Sequence, residues 1–462
     1  MQTSENPCWQ MNKTRYRKLA LPTKFLLLLS ILFTGCHPAL MPSTSTPIPS
    51  ISNIPLSFPA TKTATEPAPT LTFTPFLTPT STAVPETPDA LQEALSADCQ
   101  TNSPDLPQHT LSGHLILQKI HEYFLFDLDS GRTTNFDLST SEDYYATDYS
   151  ASRDGKWVVY VVNREKSRFG VIEPAKNILQ HTAGQRIYWG KDNVEYVFGW
   201  FDDQHMIITR ENQPFFSTVV LNPWTGTEEA FSLSDVPEPE SNMGAPLYFF
   251  NDQVNIMPDP SLEMLVYPRH EHDGASYVTL WDRQSKQIVA KLRDLRPYFG
   301  VPLWSPDGAD FIISVSTKNS EDNRVWVYVN ELFQISRGGQ IRQLTHFGKF
   351  LTWDHIWKTS RSPDGRYLVF QVDYKSDDQT LSRYLVMDLG TGGITPMCFD
   401  SSELWGSISP SNSVVWSPDS QYFALFQLDK DGYGKTILAN PRTGQSYRIK
   451  DDLFPVGWLV NP

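Results

Sequence analysis

From about residue 111 to the C-terminus, short apolar runs alternate with clusters of Asp, Asn, Gly, Pro and Ser. Phe311-Ile312-Ile313, Tyr367-Leu368-Val369-Phe370 and Tyr422-Phe423-Ala424-Leu425-Phe426 are representative. Each is short, rich in β-branched or aromatic residues and bounded by turn formers, so each reads as a strand. Helical periodicity is scarce. It is suggested at residues 89–95, in a segment that precedes the strands.

The turns before these runs repeat. Trp304-Ser305-Pro306-Asp307-Gly308 returns as Arg361-Ser362-Pro363-Asp364-Gly365 and as Trp416-Ser417-Pro418-Asp419-Ser420, about every 50 residues. Pro presets φ for a tight turn, Asp accepts hydrogen bonds from nearby amides, and Gly takes the left-handed conformation that closes it. Looser versions at 153–155, 202–203 and 258–260 bring this series to six. A second series of hairpin turns falls at 127–131, 173–177, 222–226, 282–286, 336–339, 388–392 and 440–444, which is seven. Each unit therefore predicts four antiparallel strands, the blade of a β-propeller, and no blade is stable without its neighbours.

The unequal counts carry information. The first unit, near 114–138, lacks an inner strand. The chain end, Pro455-Val456-Gly457-Trp458-Leu459-Val460, resembles the inner strand Val197-Phe198-Gly199-Trp200-Phe201. The expectation is an all-β, seven-bladed propeller of four-stranded blades over 112–462, its ring closed by the C-terminal strand.

The repeated turn resembles the WD40-like (PD40) repeat of TolB-type propellers, often written W-S-P-D-G. The match is good at 304–308, 361–365 and 416–420. It is degraded at 152–155, where Arg153 stands in place of Pro, and at 200–203. The resemblance covers most of 112–462. It implies the fold and leaves the activity open, since propellers host many functions.

Ahead of the body, Lys13, Arg15, Arg17, Lys18 and Lys24 lead into the nine-residue apolar core Phe25-Leu26-Leu27-Leu28-Leu29-Ser30-Ile31-Leu32-Phe33, too short to span a bilayer as a helix. Phe33-Thr34-Gly35-Cys36 resembles the lipobox of bacterial lipoproteins, with Phe33 where that family usually has Leu. The resemblance implies a signal peptide at 1–35, cleaved before a lipid-bearing Cys36, and a protein held at the extracytoplasmic face of the cell membrane or envelope. Residues 36–90, rich in Pro, Ser and Thr and nearly free of charge, predict a disordered tether. Residues 91–111 form a transition to the body.

The 462-residue chain has formal charge −14 and pI near 5.2, which argues against binding nucleic acid through phosphate neutralisation. Phosphate-binding Gly loops, a G-x-S-x-G nucleophile elbow and cofactor motifs are not found, so no cofactor is expected. With Cys8 in the signal and Cys36 lipidated, Cys99 and Cys398 remain as an even pair in an oxidising compartment and could form a disulfide.

Further candidates are sparse. His355, beside Asp354 on an expected inner strand, could contact a ligand in the channel. Asp148 and Tyr149, in the cluster that begins at Asp143-Tyr144-Tyr145, suit a sugar or peptide at the channel mouth. His270 and His272 have strand spacing that suits a metal, but no third ligand is evident, and a solvated loop is the simpler reading. Asp429-Lys430-Asp431-Gly432 begins like a calcium loop but lacks the closing Glu, and reads as a hairpin turn. The turn acids, Asp307 and Asp364 among them, are expected to cap their own turns. The functional expectation is a non-catalytic binding or scaffold module for an envelope protein, peptide or glycan. A carbohydrate-active or peptidase-like propeller enzyme with its site in the channel is the alternative.

Overall fold

The computed structural model describes residues 88–97, 104–106 and most of 111–460. It leaves out 1–87, 232–235, 238–255, 398–413 and shorter stretches. The described body is an all-β propeller of four-stranded antiparallel blades. Seven such sheets are formed. In chain order they cover 114–135 with 454–459, then 144–189, 195–231, 257–294, 303–343, 354–397 and 415–451, here blades 1 to 7.

The second strand of each blade is buried on both faces, which is why it reads as a continuous apolar run rather than an alternating one. Successive residues point to opposite neighbours. In blade 5, Phe311 and Ile313 pack with Val266 and Leu280 of blade 4, while Ile312 packs with Leu368 and Phe370 of blade 6. Val369 of blade 6 meets Phe423 and Leu425 of blade 7, whose Ala424 packs with Leu115 and Leu117 of blade 1. Ile116 meets Val158 of blade 2, Val159 meets Met206 and Ile208 of blade 3, and Ile207 returns to the blade 4 cluster. Every sheet thus packs against the next and the last against the first.

The closing blade is built from both ends of the folded chain. Phe454–Leu459 pairs antiparallel with His114–Lys119, placing Leu459 opposite His114 and Trp458 opposite Leu115. A Cβ on Gly457 would lie 2.9 Å from Ala151 Cβ of blade 2, so this inner strand needs glycine there to seat against its neighbour.

One feature departs from the sequence reading. The hairpin expected at 173–177 is absent. Those residues lie inside one strand, Val171–His181, and the register shifts between Val162 and Asn163 opposite them. A bulge absorbs the turn-like Glu173-Pro174 sequence without breaking the ladder. The helix suggested at residues 89–95 ahead of the body is present and packs into it. Pro88–Ser96 is a helix. Its Leu91, Ala94 and Leu95 join the core shared by blades 5 and 6, and Tyr374 Oη donates to Leu95 O at 2.9 Å. Asp105 then bridges to Arg448 on the outer strand of blade 7. None of the helices among the described residues is long and apolar enough to cross a membrane.

Candidate functional site

The repeated turn works as a small hydrogen-bond circuit. In blade 6, Ser362 Oγ donates to Asp364 Oδ1 at 2.6 Å and accepts from Tyr367 N at 2.8 Å, while Asp364 Oδ1 accepts Arg366 N. Blade 2 repeats this with Ser152, Asp154 and Trp157, and blade 7 with Ser417, Asp419 and Tyr422. Blade 4 exchanges the partners: Asp259 takes the serine position and accepts Met264 N at 2.8 Å and Ser261 Oγ at 2.6 Å. The turn acids therefore cap their own turns. The Ser305 hydroxyl, with the Ala309 amide behind it, holds the Asp307 carboxyl below the usual carboxylate range.

These turns crowd together at one end of the channel. Gly365 has φ +76, and a Cβ there would meet Pro306 Cδ of blade 5 at 2.9 Å. At the same position in blade 7, Ser420 has φ 60, and its Oγ accepts Asp364 N of blade 6 at 3.0 Å.

Just inside lies a cavity of about 240 Å³ lined by residues of blades 2 to 6, among them Arg153, Trp200, Met257, Trp304, Ser360 and Arg361. Arg361 occupies the Trp position of its repeat. Its guanidinium is nearly buried, with Nη1 on Asp310 Oδ1 at 2.7 Å and Nε on Gly365 O at 3.1 Å. Ser360 Oγ accepts the indole N–H of Trp416 from blade 7 at 3.0 Å. Trp304 Nε1 is buried and has no hydrogen-bond partner.

A second polar group lies farther along the inner strand of blade 6. Lys358 and Thr359 form a bulge between the pairs Trp357–Gln371 and Ser360–Val369, and Lys358 has φ 48. Its Nζ donates to Tyr384 Oη at 2.9 Å. Burial pulls the ammonium down to about 8 against the pull of Asp373, and burial pushes the Tyr384 hydroxyl up.

Asp354 and His355 do sit on an inner strand, as expected. Asp354, however, is buried and structural. It accepts Asn330 N at 2.7 Å, and Asn330 in turn accepts Ser316 Oγ, linking blades 5 and 6. His355 is half-buried beside it and does not line the cavity. Asp148 and Tyr149 fall on the inner strand of blade 2, at a bulge in the same place relative to the turn as that of Lys358 and Thr359. Their side chains lie outside the described residues, as do Cys36, Cys99, Cys398, His272 and the turn at 429–432. His270 ends a strand rather than standing in a loop.

Sequence reasoning passed over Arg153, Trp304 and Lys358. The signal for the first was the departure from the repeat: Arg153 stands where Pro is expected, as Arg361 stands where Trp is expected.

No family model matches the sequence, and neither does any curated protein. Among solved structures, TolB from Acinetobacter baumannii matches at 12% identity and TM-score 0.38, covering 75% of this chain and 81% of that one. An oligogalacturonate lyase in complex with manganese matches at 14% and 0.43, covering 73% and 86%. The oligogalacturonate lyase from Vibrio parahaemolyticus matches at 10% and 0.45, with the same coverage. At these identities and scores the likenesses carry no activity over to this chain.

Proposed function

We propose that this protein is a lipid-anchored propeller of the cell envelope that binds a protein, peptide or glycan without transforming it. One observation carries this reading. Three polar side chains at the channel-mouth cavity hold the ring together: Arg361 through Asp310, Ser360 through Trp416, and Ser362 through its own turn. Such a surface offers shape and charge to a partner, whereas proton transfer needs a group positioned and available to move a proton.

On this reading residues 1–35 are removed, Cys36 is acylated, and 36–90 tether the ring. Two acyl signals anchor a soluble domain stably where a single chain holds it only marginally. Among the described residues, the helix Pro88–Ser96 is the first to join the body, and it packs beside the strand Ile394–Met397. Cys99 follows the first of these elements closely in sequence and Cys398 follows the second directly, so a Cys99–Cys398 disulfide would fix the tether's end to blade 6.

Crosslinking in intact cells followed by mass spectrometry tests the whole reading. The expected result is an acylated N-terminal peptide beginning at Cys36, a Cys99–Cys398 peptide pair without reduction, and crosslinks from the exposed turn residue Lys156 to another envelope component. Mature peptides that begin at Met1 would overturn the anchoring. Turnover in glycosidase, lyase and peptidase panels that is lost on mutating His355 or Asp148 would overturn the binding role.

A further inference from the structure

The hairpin turns between the third and fourth strands of blades 1, 3, 4, 6 and 7 follow one plan. An Asp or Asn side chain opens the turn and accepts the next two available amides; in blade 3, Asn222 Oδ1 takes Trp224 N at 3.0 Å and Thr225 N at 3.1 Å. The residue two places after the opening one is Asp129, Gln284, Gly390 or Arg442 in the other four blades. In blade 3 it is Trp224, which is 37% exposed. The turn itself makes no use of an indole, and an indole left in water loses free energy that a bound partner would recover.

The ring is held by two others. Trp157 of blade 2 meets it edge-on, with centroids 5.5 Å apart and planes at 82°. Trp200 lies 5.9 Å from it, tilted by 43°, and also lines the channel-mouth cavity. In the same loop Thr225 and Thr227 are exposed, with their hydroxyls 2.7 Å apart.

These surroundings select an occupant. Stable protein interfaces bury about 1,200–2,000 Å² around an apolar centre. Among the described residues the large apolar side chains that stand exposed are Trp224 and Ile341, and Ile341 lies on blade 5, so the indole has no exposed apolar patch around it. An anionic lipid surface or an acidic sugar calls for cations. The hairpin 222–229, Asn-Pro-Trp-Thr-Gly-Thr-Glu-Glu, has none, and Arg283 of blade 4 and Lys156 of blade 2 are paired with Glu229 and Asp154. A neutral sugar ring meets both conditions. Its C–H face lies flat on an indole, and its hydroxyls find partners at the edge.

We propose that Trp224 is the stacking platform for a neutral glycan, with the Thr225 and Thr227 hydroxyls beside it. The inference rests on the binding role proposed above and names its ligand class. Rings with every substituent equatorial, such as β-linked glucose and N-acetylglucosamine, present the flattest C–H face and are the preferred units.

Calorimetric titration of the full chain, in a detergent without a sugar headgroup, uses cellotetraose, N-acetylchitotetraose and tetragalacturonate. At least one neutral probe is expected to bind, with tetragalacturonate at least about tenfold weaker. Trp224→Gln copies the residue that blade 4 carries at this place, so the turn keeps its hydrogen bonds. It is expected to weaken the neutral probe about tenfold. Trp224→Phe keeps a smaller aromatic face, should lose less, and serves if the Gln variant is unstable. The proposal is overturned if neither neutral probe binds, if tetragalacturonate binds as tightly, or if Trp224→Gln binds like the parent. Quenching by brominated lipids in reconstituted vesicles, relieved in Trp224→Gln, would overturn it in favour of a membrane surface. Loss in that variant of crosslinks from Lys156 to a protein would overturn it in favour of a protein partner. If no sugar binds while those crosslinks persist, this inference falls and the general binding role stands.

Discussion

Removing residues 453–462 should unfold the ring, and the structure gives the scale. The deletion takes away the inner strand Phe454–Leu459 of blade 1, which pairs with His114–Lys119 along its length. Trp458 and Leu459 are each 5% exposed. Truncating a buried Trp costs about 3–5 kcal/mol and a buried Leu about 2–5 kcal/mol. Together these reach about 8 kcal/mol, before counting the backbone ladder or the apolar faces of Leu115, Ile116 and Leu117 left open to water. A whole domain is stable by about 5–15 kcal/mol. The loss is therefore comparable to everything that holds the fold. Because each blade is supported on both sides, the damage should spread rather than stay in blade 1. Urea titration followed by tryptophan fluorescence and far-ultraviolet circular dichroism reads this directly. The truncated chain should lack a cooperative transition, and a synthetic peptide of residues 453–462 added in trans should restore one. A truncated chain that unfolds at the same urea midpoint as the parent, with the same slope, would refute the reasoning.

Two further outcomes follow from the turns and the bulge. Gly365→Ala places a Cβ at φ +76 and 2.9 Å from Pro306 Cδ; with about 1–2 kcal/mol for the left-handed backbone and more for the contact, calorimetry should show destabilisation of about 2–3 kcal/mol. For Lys358, burial holds the folded pKa near 8 while the unfolded chain keeps its ordinary value near 10.5. Between those values the unfolded state binds more protons, so stability should rise with pH from 8 to 10, by about 1–2 kcal/mol after allowing for partial exposure. Lys358→Met should flatten that rise in denaturant titrations across the window; a parent protein whose stability is level from pH 8 to 10 would sink the assignment.

The fold was legible because its determinants are local and repeated. Ser-x-Asp closes the tight turns of blades 2, 5, 6 and 7 through bonds spanning five residues or fewer, and the apolar run behind the turn of blade 6 is buried on both faces. The missing inner strand of the first unit and the Gly-Trp pair of the last segment were enough to join the two ends, as the pairing of Trp458 with Leu115 shows. The hairpin expected at 173–177 failed for a local reason of the same kind. Glu173-Pro174 has turn chemistry, yet the long pairing of Trp157–Lys166 with Val171–His181 outweighs it and takes up the misfit as a bulge.

The candidate site was barely legible, and the cause is geometric. Arg153 and Arg361 were visible as departures from the repeat, but a departure in one blade does not show that it faces a departure several blades away. His355 was correctly set on an inner strand, yet a strand assignment alone does not decide which inner residues reach the cavity. Trp304 looked like its counterpart Trp416, and the two differ because the residue that answers each indole lies in the preceding blade: Ser360 for one, Met257 in the place of the other. The sequence alone therefore determined the blade, its repetition and the closure of the ring, since these depend on neighbours in the chain and on burial. Only the tertiary structure decided which side chains meet at the channel mouth and which polar group is left without a partner, because those facts depend on contacts between blades about 50 residues apart.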